Sequence, residues 1–181
     1  MSLRLFAALE LPEFVCERLL ALMRGVPGAQ WRTRDHLHLT LRFFGDTPEP
    51  LADDLDAALS QAGLRAKPFD LRLKGVGVFG GADPHALWIG AVENPALLAL
   101  AAKCERAARR VGMKPEPRRF APHVTIAYLR NPDRERLIKF EQRCALFESE
   151  PWRVDSFTLF SSRVRRNAPS IYSPEADYRL G

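Results

Sequence analysis

Two tetrapeptides of the same design contain the residues of this chain that are best suited to chemistry. Residues 38–41 (His-Leu-Thr-Leu) and 123–126 (His-Val-Thr-Ile) share the order His, apolar, Thr, apolar. Side chains two apart on a β-strand share a face, so each predicted strand presents an imidazole and a hydroxyl together. Two such strands at a shared groove offer two proton-transfer groups and two neutral hydrogen-bond donors. This set suits a phosphate diester.

Chance is a poor explanation for the pair. The chain has only 4 histidines, and two matches among them have odds on the order of one in a thousand at ordinary residue frequencies. A lone His on a strand usually has a structural role. The repetition therefore indicates a shared function.

The sequence around the tetrapeptides is duplicated. Residues 5–12 (LFAALELP) resemble residues 88–95 (WIGAVENP), and an amphipathic helix is predicted after each. A motif strand, a second helix and a further strand follow in both cases. The duplication predicts one bilobal domain over residues 1–181, with approximate repeats at 3–80 and 86–165. An approximate two-fold axis would relate the lobes, and each lobe would contribute one His-x-Thr strand.

Composition indicates a compact soluble protein. The chain has 181 residues, of which 46% are hydrophobic, and no apolar run approaches the roughly 20 residues that a membrane span needs. The first residues are predicted to form a strand, without a signal peptide. Cys16, Cys104 and Cys144 fall in predicted helices and lack a Cys-x-x-Cys pattern, which is typical of reduced core thiols in a cytoplasmic protein.

Charge favours a polyanionic partner. The formal net charge is +5, and much of the excess is arginine. Guanidinium groups bind phosphate bidentately, so clustered arginines favour phosphate-rich partners. The clusters consist of Arg118, Arg119, Arg130, Arg134 and Arg136, and of Arg163, Arg165 and Arg166.

The chain resembles a known family over nearly its whole length. The similar segments are residues 4–8, 35–45, 77–79, 87–90, 122–127 and 156–162, with Tyr172 beyond. The family is that of the bacterial RNA 2′,3′-cyclic phosphodiesterases, or 2′-5′ RNA ligase-like proteins, of the two-histidine phosphoesterase superfamily. One departure is visible: the family commonly has Arg where Tyr128 stands here, and Arg130 is the candidate replacement.

The resemblance implies an α+β fold of two pseudo-symmetric lobes. Each lobe would be a mostly antiparallel sheet with outer helices, and the active site would lie in the groove between them. The implied activity is hydrolysis of RNA 2′,3′-cyclic phosphate termini to 2′-phosphates. RNA with such ends, including tRNA fragments, is the expected partner. We further expect a monomer that does not bind membranes.

The chemistry assigns roles to four residues. A strained cyclic diester needs an acid and a base in line with phosphorus, without ATP or a metal, so we expect no cofactor. Symmetry alone leaves the two histidine roles interchangeable. By resemblance, His38 is the proton donor to the leaving 3′ oxygen and His123 is the proton acceptor from water. Thr40 and Thr125 would hold the non-bridging oxygens.

Three further residues are predicted to bind substrate. Arg42 follows Thr40 by two positions, so alternation predicts a phosphate contact on the same strand face. Phe79 lies beside glycines and is a candidate platform for base stacking. The third residue is Arg130, which would supply the positive charge that the family commonly has at the position of Tyr128.

Several alternatives compete with this interpretation. The same site run in reverse would join the ends of tRNA halves, and a non-catalytic RNA-binding module would keep the fold and the charge. A zinc site at His36 and His38 lacks a cysteine or carboxylate cluster to complete it. Residues 75–80 match G-x-G-x-x-G, but a strand is predicted to follow rather than the helix that a dinucleotide site requires.

Overall fold

The computed structural model describes residues 2–181, which form two four-stranded sheets, a two-stranded ribbon and four α-helices. The strands are β1 (Ser2–Glu10), β2 (Ala29–Trp31), β3 (His38–Pro48), β4 (Phe69–Leu71), β5 (Leu73–Phe79), β6 (Ala86–Ala91), β7 (His123–Leu129), β8 (Trp152–Val154), β9 (Ser156–Arg165) and β10 (Ala168–Arg179). The helices are α1 (Glu13–Leu22), α2 (Glu49–Leu64), α3 (Pro95–Arg110) and α4 (Arg134–Cys144).

The two motif strands lie in different sheets. The first sheet has the order β10-β9-β1-β3, and the second has the order β2-β7-β6-β5. Every strand pairing is antiparallel. Strands β3 and β7 contact each other although they are not hydrogen bonded. The predicted α+β fold of two mostly antiparallel lobes is confirmed.

The two halves of the chain exchange strands. The order β9-β1-β3 in one sheet matches β5-β6-β7 in the other. Strand β5 comes from the first half but pairs with β6, and β9 comes from the second half but pairs with β1. Strands β4 and β8 also pair across the halves. This exchange ties both halves into one unit, while the repeat bounds 3–80 and 86–165 stay a prediction.

Local signals explain the two helices that precede the motif strands. Helix α1 begins after Pro12. Helix α3 begins with Pro95, and the Asn94 side chain accepts hydrogen bonds from two backbone N–H groups of its first turn. Beyond the ends of these helices stand Gly25 and Gly112, whose φ angles of +84° and +90° favour glycine.

The apolar residues of both motifs are buried. Leu39, Leu41, Val124 and Ile126 belong to the main hydrophobic core, as strand alternation predicts. Their burial places the alternate positions, His and Thr, on the opposite face of each sheet. The core therefore orients the chemical side chains.

The three cysteines are buried and free. They lie in α1, α3 and α4, as the sequence predicted. Burial raises the pKa of Cys104 to about 12, so this thiol stays protonated at neutral pH. Among residues 2–181, no helix is long and apolar enough to cross a membrane.

Candidate active site

His38 lies in an aromatic pocket of the first lobe. Its ring centroid is 5.0 Å from that of Phe6, 5.4 Å from that of Tyr172 and 6.4 Å from that of Phe160. These rings come from β1, β10 and β9, which are the other three strands of the sheet that contains β3. The imidazole is thus held by packing on the face opposite the main core.

His123 has a corresponding aromatic wall in the second lobe. Phe79 stands edge-on to it with centroids 4.9 Å apart, and Trp88 lies 6.1 Å away. The Trp88 ring covers Gly77, where a Cβ would come within 2.2 Å of it, so this position requires glycine. The indole Nε1 of Trp88 is buried and has no hydrogen-bond partner among residues 2–181.

Both imidazoles interact with backbone two residues upstream. Nδ1 of His123 lies 2.6 Å from the carbonyl oxygen of Ala121, which can only accept a hydrogen bond. The neutral ring therefore carries its proton on Nδ1 and a lone pair on Nε2. For His38, an interaction with the backbone of His36 acts to raise the pKa of the imidazole.

The surroundings of His38 disfavour its charged form. Burial lowers the pKa of His38 to about 4, and the positive charges of Arg32, His36 and His123 act in the same direction. The interaction with the His36 backbone opposes this change only in part. At neutral pH, His38 is therefore a neutral imidazole.

The groove brings both motifs together. Strands β3 and β7 are in contact, and His123 is close enough to His38 for its charge to lower the His38 pKa. Thr40 pairs across the strands with Ala8, and Thr125 pairs with Trp88. Both Thr residues are partly exposed while their apolar neighbours are buried. The two motif strands thus meet, each with its imidazole and hydroxyl on the face opposite the main core.

Arg42 does not share the groove face with Thr40. Ala7 pairs with Arg42 and Ala8 pairs with Thr40, so Leu41 is an extra residue that forms a β-bulge. The bulge reverses the alternation and puts Arg42 on the core side with Ala7. There its Nε lies 2.5 Å from a carboxylate oxygen of Glu105. The structure therefore corrects the expectation that Arg42 contacts phosphate: its guanidinium is engaged by α3.

A matching bulge follows Thr125. Leu87 pairs with Ala127 and Trp88 pairs with Thr125, which leaves Ile126 as the extra residue. The bulge turns Tyr128 to the groove face, where it is 46% exposed. In each motif strand, the next side chain after Thr that lies on the same face as Thr thus belongs to the residue three positions further along the chain, not two.

Arg32 is the residue near the site that sequence reasoning missed. It directly follows β2, and its guanidinium donates a 3.3 Å hydrogen bond to the Tyr172 hydroxyl. The same guanidinium carbon lies 4.9 Å from the centre of the Tyr128 ring. No motif marks Arg32, because its proximity to His38 depends on the pairing of β2 with β7.

The remaining predicted residues are placed as follows. Phe79 contacts His123, whereas Arg130 is exposed and follows the end of β7. Both ring nitrogens of His36 are engaged, one by the Thr33 hydroxyl at 2.7 Å and one by the Ser170 carbonyl at 2.6 Å. Within residues 2–181, no group of three or more His, Cys, Asp or Glu side chains is arranged to hold a metal ion.

Comparison with known proteins identifies relatives along most of the chain. A family profile described as the 2′-5′ RNA ligase superfamily matches residues 12–166. The RNA 2′,3′-cyclic phosphodiesterase of Aquifex aeolicus is 31% identical over 155 residues, which cover 84% of this chain and 82% of that protein. The Thermus thermophilus protein of the same name is 32% identical over 180 residues, covering 92% and 85%. The structure of E. coli LigT complexed with 3′-AMP superimposes with a TM-score of 0.78 at 25% identity, covering 99% of both chains.

Proposed function

The chain belongs to the 2′-5′ RNA ligase superfamily, and from that premise we propose that it hydrolyses 2′,3′-cyclic phosphate termini of RNA to 2′-phosphates. The observation that carries this proposal is the pair of His-x-Thr strands at one groove, one from each sheet. Two paired proton-transfer residues serve a reaction, since binding alone does not need them. Relatives named RNA 2′,3′-cyclic phosphodiesterase support the same reaction.

His123 is proposed as the base. Its Nδ1 faces the Ala121 carbonyl, which leaves the Nε2 lone pair to accept a proton from water. The deprotonated water attacks phosphorus and the bond from phosphorus to the 3′ oxygen breaks. The ring can then carry the proton, with the resulting charge stabilised by the Ala121 carbonyl.

His38 is proposed as the acid that protonates the departing 3′ oxygen. With a pKa of about 4, only about one molecule in a thousand would carry the proton at pH 7 before substrate binds. A bound phosphate diester brings a negative charge next to the ring, and a nearby opposite charge raises the pKa of an imidazole. Substrate binding would therefore favour the protonated form of His38, which is the form that can act as the acid.

Thr40 and Thr125 are proposed to hold the non-bridging oxygens. Both lie on the groove faces of the motif strands, one on each side. Neutral hydroxyl donors can stabilise the charge that builds on these oxygens. Ring strain in the cyclic diester supplies driving force, so neither a nucleotide nor a metal takes part.

The proposed substrate is RNA with cyclic phosphate ends, including tRNA fragments. The net charge of +5 suits such a polyanion. We propose that the protein acts as a cytoplasmic monomer. Phe79, which forms part of the wall beside His123, is proposed to stack against the terminal base.

One assay tests the proposal. A synthetic oligonucleotide with a 2′,3′-cyclic phosphate end is incubated with the protein in EDTA, and the products are separated against 2′-phosphate and 3′-phosphate standards. We expect the 2′-phosphate alone. His38→Ala and His123→Ala should each lower turnover by about 100- to 10,000-fold, whereas the exposed His85→Ala should match the parent protein. Normal turnover in both single His variants would contradict the catalytic roles of the two histidines, and absence of turnover in the parent protein would favour the RNA-binding module.

Ligation is a second candidate, favoured by the superfamily to which the chain belongs. The same acid and base run backwards would join a cyclic phosphate end to a 5′-hydroxyl end through a 2′-5′ linkage. Incubation of two tRNA halves followed by sizing of the RNA tests this reaction. A joined product that resists a 3′-5′-specific nuclease at the junction would support it.

A further inference from the structure

Tyr128 occupies a groove position from which a cation would be expected to bind phosphate. The bulge at Ile126 brings it to the face that carries His123 and Thr125. A phenol carries no positive charge at neutral pH, so it cannot neutralise a phosphate. If this groove binds a phosphate diester, the cation must come from another residue.

Arg32 is held directly over this tyrosine. Its guanidinium lies 4.9 Å from the Tyr128 ring centre, within cation–π range. The Tyr172 hydroxyl accepts a hydrogen bond from the same guanidinium. The backbone N–H of Arg32 donates a 2.9 Å hydrogen bond to Ile126, which anchors the residue beside the bulge. Two tyrosines from different sheets thus fix one guanidinium.

The charge of Arg32 is not neutralised by a carboxylate. None of the ion pairs formed within residues 2–181 includes it. Arg42, by contrast, is paired with both Glu105 and Glu116. The field of Arg32 also reaches the reacting group, because after burial it is the largest cause of the lowered His38 pKa. An unneutralised guanidinium beside His38 is well placed to attract an anion.

We propose that Arg32 binds a non-bridging oxygen of the substrate phosphate and that Tyr128 and Tyr172 position it there. This inference rests on the proposed function and names the cation of that site. Arginine is suited to the task because its planar fork can donate two parallel hydrogen bonds to one phosphate. The phosphate bound by Arg32 would bring negative charge close to His38.

The test compares Arg32→Ala and Arg32→Lys with Arg153→Ala, which removes one charge from an exposed residue of β8. Affinity for inorganic phosphate and for a nucleoside 2′-monophosphate is measured by calorimetry, and thermal unfolding verifies the fold. Loss of a charge-assisted hydrogen bond should weaken both affinities about 10- to 100-fold in Arg32→Ala. Arg32→Lys should retain part of the affinity, and Arg153→Ala should retain all of it.

The positioning role of Tyr128 has its own pair of variants. Tyr128→Phe keeps the ring under the guanidinium and should stay within about threefold of the parent in phosphate affinity. Tyr128→Ala removes the ring and should weaken phosphate binding several-fold. Equal affinity in Tyr128→Ala and the parent would overturn the positioning role.

A spectroscopic readout separates a charge effect from a structural one. Removing a neighbouring positive charge should raise the His38 pKa, so an NMR titration of the imidazole in Arg32→Ala should show protonation at higher pH than in the parent. Unchanged phosphate affinity in Arg32→Ala would overturn the inference, as would a loss seen only in Arg130→Ala.

Failure of the inference and failure of the proposed function give different results. If His38→Ala and His123→Ala abolish turnover while Arg32→Ala keeps phosphate affinity within twofold, only the role of Arg32 is wrong. If the parent protein shows no turnover, the proposed function fails whatever Arg32→Ala does.

Discussion

The two lobes share a framework but differ around their histidines. Strands β9-β1-β3 and β5-β6-β7 have the same order, and both motif strands have a bulge directly after Thr. Each histidine also interacts with backbone two residues upstream. What differs comes from the strands outside this repeat: β10 brings Tyr172 to His38, and the end of β2 brings Arg32.

This difference shows how a duplicated site acquires two roles. A perfect two-fold would give both imidazoles the same surroundings and no basis for distinct functions. Tyr172 and Arg32 meet through a hydrogen bond that joins the two sheets. The Tyr172 ring packs beside His38, and after burial the charge of Arg32 is the largest cause of the lowered His38 pKa. Residues from β10 and from the end of β2, both outside the repeat, therefore give His38 surroundings that differ from those of His123.

A chemically altered substrate tests the asymmetry with the largest expected effect. When sulfur replaces the 3′ bridging oxygen, the leaving thiolate needs no proton, so loss of the acid should matter little. With this substrate, His38→Ala should stay within about tenfold of the parent, while His123→Ala should still lose about 100- to 10,000-fold in single-turnover rate. The reverse pattern would exchange the two roles.

Folding stability should depend on pH through His38. The pKa of His38 is lowered from 6.5 to about 4 in the folded protein, so the unfolded chain takes up a proton that the folded one does not. Stability is therefore present above pH 6.5 and is lost as pH falls toward 4, by about 3 kcal/mol.

Urea unfolding at several pH values measures this loss. His38→Gln should lose less stability than the parent between pH 7 and 4, and the exposed His85→Gln should follow the parent. A parallel pH dependence for parent and His38→Gln would mean that His38 titrates normally.

The two threonines test whether the lobes share the phosphate equally. Thr40→Val and Thr125→Val remove one hydroxyl donor each while keeping the β-branched shape. Loss of one hydrogen bond to a charged oxygen should lower kcat/KM by about 10- to 100-fold in each variant. A large loss in one variant alone would show that a single lobe holds the non-bridging oxygens.

The smallest expected effect concerns the hydrogen bond between Arg32 and the Tyr172 hydroxyl. Tyr172→Phe keeps the ring against His38 but removes the hydroxyl that contacts Arg32. A single neutral acceptor contributes little, so kcat/KM should fall only about two- to tenfold. An effect as large as that of Arg32→Ala would indicate that Tyr172 itself contacts the substrate.

The sequence was sufficient to predict the motif strands, the helices and the candidate residues of the site. Local patterns suffice for these features, because apolar periodicity defines each element and strand alternation places His and Thr on one face. The cysteines in α1, α3 and α4 follow from the same periodicity. The strand predicted after residues 75–80 is likewise present, as β6.

The identity of the cation beside His38 could not be predicted from the sequence, because it depends on strand pairing. The bulge at Leu41 depends on how β3 pairs with β1, so simple alternation fails at Arg42 and the side chain turns to Glu105. Arg32 reaches the site only because β2 pairs with β7 in the second sheet. Alternation is a local property of one strand, whereas register and strand neighbours depend on residues far away in the chain. The histidines could therefore be found in the sequence, but the groups that make them unequal could not.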